Sequence, residues 1–210
     1  MKLSETGQES GASDVPFITP IDGTYLIPFN KTPNDILQRH RDARDGVEED
    51  SATPFMKRGN YMQDGALQWF NDEFDARVVE PEIGYRNEWC NMVASLDGMF
   101  TADWIYGNGT IVNRYLIPAG SPWECKIPGF PAERTDGMER VLQVQAQMDC
   151  VDAKWGVIAE LAMSDCRWRI AIVPRHQPTI DAIRRAVDEF WQHMTDGTDY
   201  GPQTSSEASR

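Results

Sequence analysis

Apolar residues recur along the chain at two spacings, and the change from one to the other marks out the elements. From Pro54 the segment FMKRGNYMQDGALQWFNDEFD sets Met62, Ala66, Leu67, Trp69, Phe70 and Phe74 at mainly three- and four-residue intervals, which predicts a long amphipathic helix. A shorter helix precedes it. TPNDILQRHRDARDG opens on Thr32 as N-cap with Pro33 at the first helical position, and it ends at Gly46. In the middle of the chain the period shortens: ARVVEPEIGYR, WCNMVASLDGMFTADWIY, TIVNRYLI and SPWECKI read as four or five strands, with GNGT at 107–110 as a hairpin turn. After Gly137 the longer period returns, carried by Met138, Val141, Leu142, Gln145 and Met148. Two strand-like runs follow, WGVIAELAM and CRWRIAIV, and then a helix from about Pro178 to Met194 built on Ile180, Ile183, Val187, Phe190 and Trp191. The order predicts a mixed α/β domain on one central sheet.

Residues 1–14, with one Leu among Ser, Gly, Glu and Asp, and the polar residues 197–210 are expected to be disordered tails. No repeat and no Gly/Ser linker divides the remainder, so a single domain spans 15–196. Its size suits the composition: 40% of the 210 residues are hydrophobic, including seven Trp and eight Phe, far too apolar for a disordered chain. The opening MKLSETGQES has no apolar stretch of a leader, and no segment approaches the roughly 18 apolar residues of a membrane span. A soluble, unexported, cytoplasmic protein is expected. Cys90, Cys125, Cys150 and Cys166 stand 35, 25 and 16 residues apart, which fits no CxxC metal site and suits reduced thiols.

The formal net charge of −13 argues at first against nucleic acid, whose phosphates are bound by Lys and Arg. The surplus is patchy, however. Residues 41–50 carry five acids against two bases, and residues 64–82 carry six acids against Arg77 alone. A metal-dependent nuclease also needs carboxylates, and a bound cation reverses the local sign.

Chemistry concentrates in SPWECKIPG. Glu124 and Lys126, two apart on a strand, leave the same face roughly 6.5–7 Å apart, while Trp123, Cys125 and Ile127 take the other. Alone, such a pair is an ordinary charged strand surface. Earlier, in VASLDGMF, Asp97 follows an apolar strand and precedes Gly98, a step also suited to a plain turn. Later, VLQVQAQM carries Gln143, Gln145 and Gln147, whose ordinary reading is a solvated helix face.

An Asp at a strand end, then ExK on the next core strand, then a helix with QVQ resembles the PD-(D/E)XK nuclease superfamily. More closely, the chain resembles the lambda exonuclease or YqaJ-like viral recombinase family. KRGNYMQDGALQWF resembles that family's helix with a G-x-x-x-E signature, VASLDGM its A-S-P-D-G, WECKIP its E-x-K-C-P and VLQVQAQM its Q-V-Q-x-x-M; KTPNDIL resembles its K-T-P segment. The resemblance spans about Phe17 to Ala171. It implies a restriction-endonuclease-like α/β core, a central mixed β-sheet flanked by helices. It also implies a DNA exonuclease, digesting duplex ends 5′ to 3′ in phage-type recombination, as a homotrimer with a single-strand annealing protein as partner.

Phosphodiester hydrolysis gains from a hard cation that polarises the phosphoryl oxygen and neutralises the leaving oxygen. On this resemblance Asp97 and Glu124 would bind Mg²⁺ or Mn²⁺, with the backbone carbonyl of Cys125 as third protein ligand. Lys126 would orient the attacking water and assist its deprotonation, since a neighbouring dication disfavours the charged lysine. Gln143 would lie by that water or the scissile phosphate. The sequence departs from the pattern at Gln63, where the family carries a metal-associated Glu; adjacent Asp64 points about 100° away around a helix. Leu96 replaces the usual Pro, and no Arg precedes FITPID where the resemblance would place a 5′-phosphate pocket, with Thr19 alone near the Ser position. An alternative of another class follows from Gln63: a nucleic-acid-binding or assembly protein on the same fold with weak or lost cleavage.

The remaining candidates carry less. His40, His176 and His193 are too far apart for a motif, and alternation turns the Cys125 thiol away from the charged pair. Trp155, Trp168 and Trp191 read as core or interface. Arg167 and Arg169 share a strand face that suits either phosphate contact or plain solvation.

Overall fold

The computed structural model describes residues 9–47, 54–107, 114–131 and 135–201. It opens with β1 (Ser10–Gly11), α1 (Val15–Ile18), β2 (Pro20–Ile21), β3 (Thr24–Tyr25) and a 3₁₀ turn at Pro28–Asn30. Two helices follow, α2 (Pro33–Arg44) and α3 (Pro54–Phe74). The central strands are β4 (Val78–Val79), β5 (Tyr85–Arg86), β6 (Met92–Ala94), β7 (Gly98–Phe100), β8 (Trp104–Gly107), β9 (Arg114–Ile117) and β10 (Pro122–Lys126). The chain then runs through α4 (Met138–Val151), β11 (Trp155–Ala162), β12 (Arg167–Pro174) and α5 (Gln177–Asp196).

Five strands form the central mixed sheet in the order β12-β11-β10-β7-β4. Only β10 and β11 are parallel, and α4 makes the crossover that parallel neighbours need. One face of the sheet packs on α3: Ala66 and Phe70 meet Val78, Phe100, Trp104, Trp123, Val157, Ala159 and Leu161. The other packs on α4, with Val144 and Met148 against Ile158 and Val173. Gly156 allows that approach, because a Cβ there would collide with Val144. Beyond α4, a second core joins α1, α2 and α5 through Val15, Ile18, Leu37, Leu142, Ile183 and Phe190. The helices are thus placed on both faces, as the α/β reading expects.

The start of α2 follows the sequence expectation closely. The Thr32 hydroxyl accepts from the Asp35 N–H at 3.3 Å while Asp35 accepts from the Thr32 N–H at 2.7 Å, a reciprocal capping box with Pro33 in the first turn. The middle of the chain differs. Among the described residues seven short strands stand where four or five are expected, because Pro81 interrupts the first run and β6, β7 and β8 go to three different sheets. Three small sheets, β1-β6-β5, β2-β3 and β8-β9, therefore accompany the central one. Gly107 pairs with Arg114 in an antiparallel β8-β9 ladder; the rest of the GNGT turn lies outside the described residues.

Both domain boundaries move outward. Residues 9–14 are part of the fold: Ser10 and Gly11 run parallel to Met92 and Val93, and Glu9 pairs with Arg86. Asp14, 2% exposed, accepts from the Gly11 N–H at 3.1 Å, from His40 Nε2 at 3.0 Å and from Arg39. Their polarity suggests a tail, but the backbone of Ser10 and Gly11 and the carboxylates of Glu9 and Asp14 find internal partners. At the other end Tyr200, 6% exposed, exchanges two backbone–side-chain hydrogen bonds with Asn34, and Asp199 pairs with Arg41 at 2.7 Å. Residues 1–8 and 202–210 lie outside the described residues.

Candidate active site

β10 and β7 part company where the chemistry lies. Pro122 and Trp123 pair with Met99 and Gly98, and β7 goes no further toward Lys126. Asp97, immediately before β7, takes over the edge: its Oδ2 accepts the Cys125 backbone N–H at 2.9 Å. A strand residue's N–H and C=O leave by the same edge, so the Cys125 carbonyl faces the Asp97 side as well. Gly98 is dictated by crowding rather than by a turn. A Cβ there would stand 2.5 Å from Val78 Cγ1 and 2.9 Å from Trp123 Cε3.

Pleating turns Glu124 and Lys126 toward α4, while Trp123 and Cys125 join the α3-side core. Glu124 is 2% exposed and its carboxylate is fully engaged. Oε1 accepts from Lys126 Nζ at 2.5 Å and from Gln143 Nε2 at 2.8 Å; Oε2 accepts from Gln147 Nε2 at 2.5 Å. Lys126 Nζ also donates to Gln143 Oε1 at 3.3 Å. Burial alone would push the lysine's pKa down, but the charges of Glu124 and Asp97 and the bond to Glu124 outweigh it and hold the pKa above its ordinary value. Lys126 is charged here; the expected disfavouring of that charge depends on a cation offsetting both acids.

The structure therefore brings Asp97, Glu124, Lys126, Gln143 and the Cys125 carbonyl to one sheet edge. Gln63 joins them, its Nε2 3.4 Å from Asp97 Oδ1, a long contact reaching in from α3. Asp64, the next residue around that helix, is exposed. The Cys125 thiol stays on the opposite face, its pKa raised chiefly by burial and further by Asp97 and Glu124. The available donors are thus carboxylate and carbonyl oxygens, the ligand type of Mg²⁺ or Mn²⁺. Among the described residues no three His, Cys, Asp or Glu side chains gather into a metal cage, so a cation would rest on two carboxylates, a carbonyl and water. The residues fit such an ion, with Gln63 standing where a third acid would add to it.

Three residues near the site, Gln147, Glu160 and Arg140, are not legible as such in the sequence. Gln147, expected on a solvated helix face, is 0% exposed; Gln145, also buried, lies apart from the site, donating to the Pro174 carbonyl at 2.8 Å and accepting from the His176 N–H at 3.0 Å. Glu160, 0% exposed, is in register with Lys126 on β11 and accepts from Arg140 Nη1 at 2.5 Å. Arg140, Gln143 and Gln147 thus form an i, i+3, i+7 stripe of donors along α4, each on a buried carboxylate. The available signal was a lone acid inside the apolar run WGVIAELAM. Register also places Arg169 and Arg167 on the Glu160 face, and Arg169 pairs with Asp165 at 2.5 Å. His40 is tied to Asp14, and Trp168 packs on Phe70 with ring centroids 5.4 Å apart.

No protein-family model matches the sequence, and no curated protein matches it. Solved structures do. An alkaline exonuclease from Laribacter hongkongensis, LHK-Exo, superposes with a TM-score of 0.66 over 92% of this chain and 91% of its own, at 17% identity. Its complex with dAMP gives the same score at 16% identity. A phage-related exonuclease from Haemophilus somnus superposes with a TM-score of 0.64 over 90% and 94%, at 11% identity. The chain shares the fold of these exonucleases. In that fold the central mixed sheet carries the ExK strand β10 between β7 and β11. Among the described residues no helix is long and apolar enough to cross a membrane.

Proposed function

We propose that the protein is a divalent-cation-dependent DNA nuclease that removes nucleotides from duplex ends, 5′ to 3′. The observation that carries this reading is the convergence of Asp97, Glu124 and Lys126 on one sheet edge of an exonuclease fold. Mg²⁺ or Mn²⁺, when bound, supplies polarisation of the phosphoryl oxygen and charge neutralisation at the leaving oxygen. Asp97, Glu124 and the Cys125 carbonyl hold that ion. Lys126, fixed between Glu124 and Gln143, orients the attacking water and takes part in its proton transfer. Gln143, bonded to both partners, sets the lysine's direction. Processing of duplex ends in recombination, as a ring-shaped homotrimer working with a single-strand annealing protein, completes the proposal.

End-labelled linear duplex and closed circular duplex, each incubated with and without Mg²⁺, test it. Digestion of the linear form alone, in Mg²⁺ alone, is the expected result, and 5′ or 3′ label release gives the direction. Cleavage in EDTA would overturn it. The amide of Gln63 against Asp97 favours one second reading, a DNA-binding protein with weak or lost cleavage. That reading requires DNA binding to be unchanged by EDTA.

A further inference from the structure

Resting on the cation site proposed above, we infer that Gln147 is a positioning residue that locks the Glu124 carboxylate for cation binding. Three buried or half-buried glutamines follow one another on α4, and their hydrogen bonds separate their roles. Gln145 uses both ends of its amide, on the Pro174 carbonyl and the His176 N–H, and so ties α4 to the β12–α5 connection. Gln143 also uses both ends, on Glu124 and Lys126, at the half-buried mouth of the site. Gln147 differs. Its Nε2 donates to Glu124 Oε2 at 2.5 Å, while its Oε1 is buried with no hydrogen-bond partner.

An amide serving packing alone would turn to satisfy its acceptor, since a buried orphan oxygen is unfavourable. Here it cannot turn. A carboxylate only accepts, so the NH₂ group must face Glu124, which forces the carbonyl into the apolar interior between α4 and the sheet. The orientation is set by Glu124, not by the surrounding packing. Lys126 and Gln143 both bind Oε1, so among the described residues Gln147 is the donor to Oε2 and fixes the second oxygen. With both oxygens held, rotation about the terminal torsion of Glu124, otherwise broad, is closed off. The carboxylate is then held in one orientation. Gln147 touches neither cation nor substrate and acts through Glu124.

The test is Mn²⁺ binding, by calorimetry and by loss of the free-ion EPR signal, on the wild type, Gln147→Met and Glu124→Gln. Methionine keeps the volume and removes both the donor and the orphan acceptor. Its dissociation constant for Mn²⁺ should rise 10- to 100-fold, the usual effect of a group that orients a ligand. Its melting temperature in EDTA should fall by only a few degrees, because one unpaired buried oxygen, Gln147 Oε1, is exchanged for another, Glu124 Oε2. Unchanged Mn²⁺ affinity in Gln147→Met, with Glu124→Gln abolishing binding, would overturn the role of Gln147 and leave the cation site standing. Normal binding in Glu124→Gln, or none in the wild type, would overturn the site itself. Should the methionine variant unfold, Gln147→Leu carries the same comparison: a folded leucine variant with wild-type affinity refutes the inference equally.

Discussion

Gln63→Glu probes the clearest departure of this site from the pattern it resembles. Glutamate is isosteric with glutamine, so the variant replaces the NH₂ that stands 3.4 Å from Asp97 Oδ1 with a carboxylate oxygen. Two unit charges at that 3.4 Å separation repel by about 1 kcal/mol in water and about 5 kcal/mol at an effective dielectric near 20. Both side chains are half-exposed, which places the effect in the lower part, about 1–2 kcal/mol. In EDTA the variant should therefore melt lower by roughly 2–8 °C, at about 2–4 °C per kcal/mol for a domain of this size. A cation between the carboxylates removes the repulsion and gains a ligand. Mg²⁺ should thus raise the melting temperature of Gln63→Glu by more than it raises that of the wild type. Cleavage should follow: the variant should be more active at low Mg²⁺, with the advantage shrinking toward saturation. Thermal melts and activity are both titrated against Mg²⁺ for the two proteins. Superimposable activity curves together with equal metal-induced shifts would refute the reasoning and show that Gln63 does not face the cation.

Lys126→Ala should reduce cleavage by about 10²-fold or more while Mn²⁺ still binds, because the lysine acts on water and is no ligand; wild-type turnover in single-turnover assays would remove it from the mechanism. Asp97→Asn and Glu124→Gln should each abolish Mn²⁺ binding by calorimetry together with cleavage, since each replaces a charged ligand by a neutral one. Asp14 gives a pH prediction remote from the site. Burial would push its carboxyl up, but the hydrogen bonds and charges of His40 and Arg39 win and hold it at about 2 against an ordinary 3.8. Its folded pKa is the lower one, so its contribution of about 2 kcal/mol is present above pH 4 and is lost as the pH falls toward 2. Asp14→Asn should flatten the dependence of the urea midpoint on pH in that window, and an unchanged profile would show that Asp14 is not the group responsible.

Long elements were legible because their signals are local. Thr32, Pro33 and Asp35 start α2 through a cap that depends on four consecutive residues, and α3 and α5 carry their apolar stripes for about 20 residues each. The short strands were not. Glu124 and Lys126 could be assigned to one face by alternation within five residues, but the separation of β6, β7 and β8 into three sheets depends on which distant strand each meets. The N-terminal segment shows the same limit from the polar side. Ser10–Asp14 has the composition of a tail, and what orders it is a partner 26 residues away, His40, and a strand some 80 residues away, β6. Gln147 and Glu160 failed for a related reason, since polarity predicts exposure and only tertiary pairing reveals the exception.

The acidity that weighs against nucleic acid in the composition carries little weight at the site. Asp97, Glu124 and Glu160 face Lys126 and Arg140 there, which leaves one formal negative charge in the cluster. The proposed divalent cation on Asp97 and Glu124 would change it to one positive charge, and Lys126 and the α4 amides already point donors inward. Much of the remaining surplus belongs to two stretches of sequence, residues 41–50 and 64–82, and at physiological salt the field of an exposed charge fades over about 8 Å. On the proposed function, phosphate attraction in this acidic chain would arise locally, where that ion sits. The same geometry gives a neutral Gln63 a rationale under that proposal. Each further carboxylate would deepen the repulsion among buried acids, where Glu124 and Glu160 are already 2% and 0% exposed, so on the proposed function the glutamine would trade cation affinity for stability of the site without its ion.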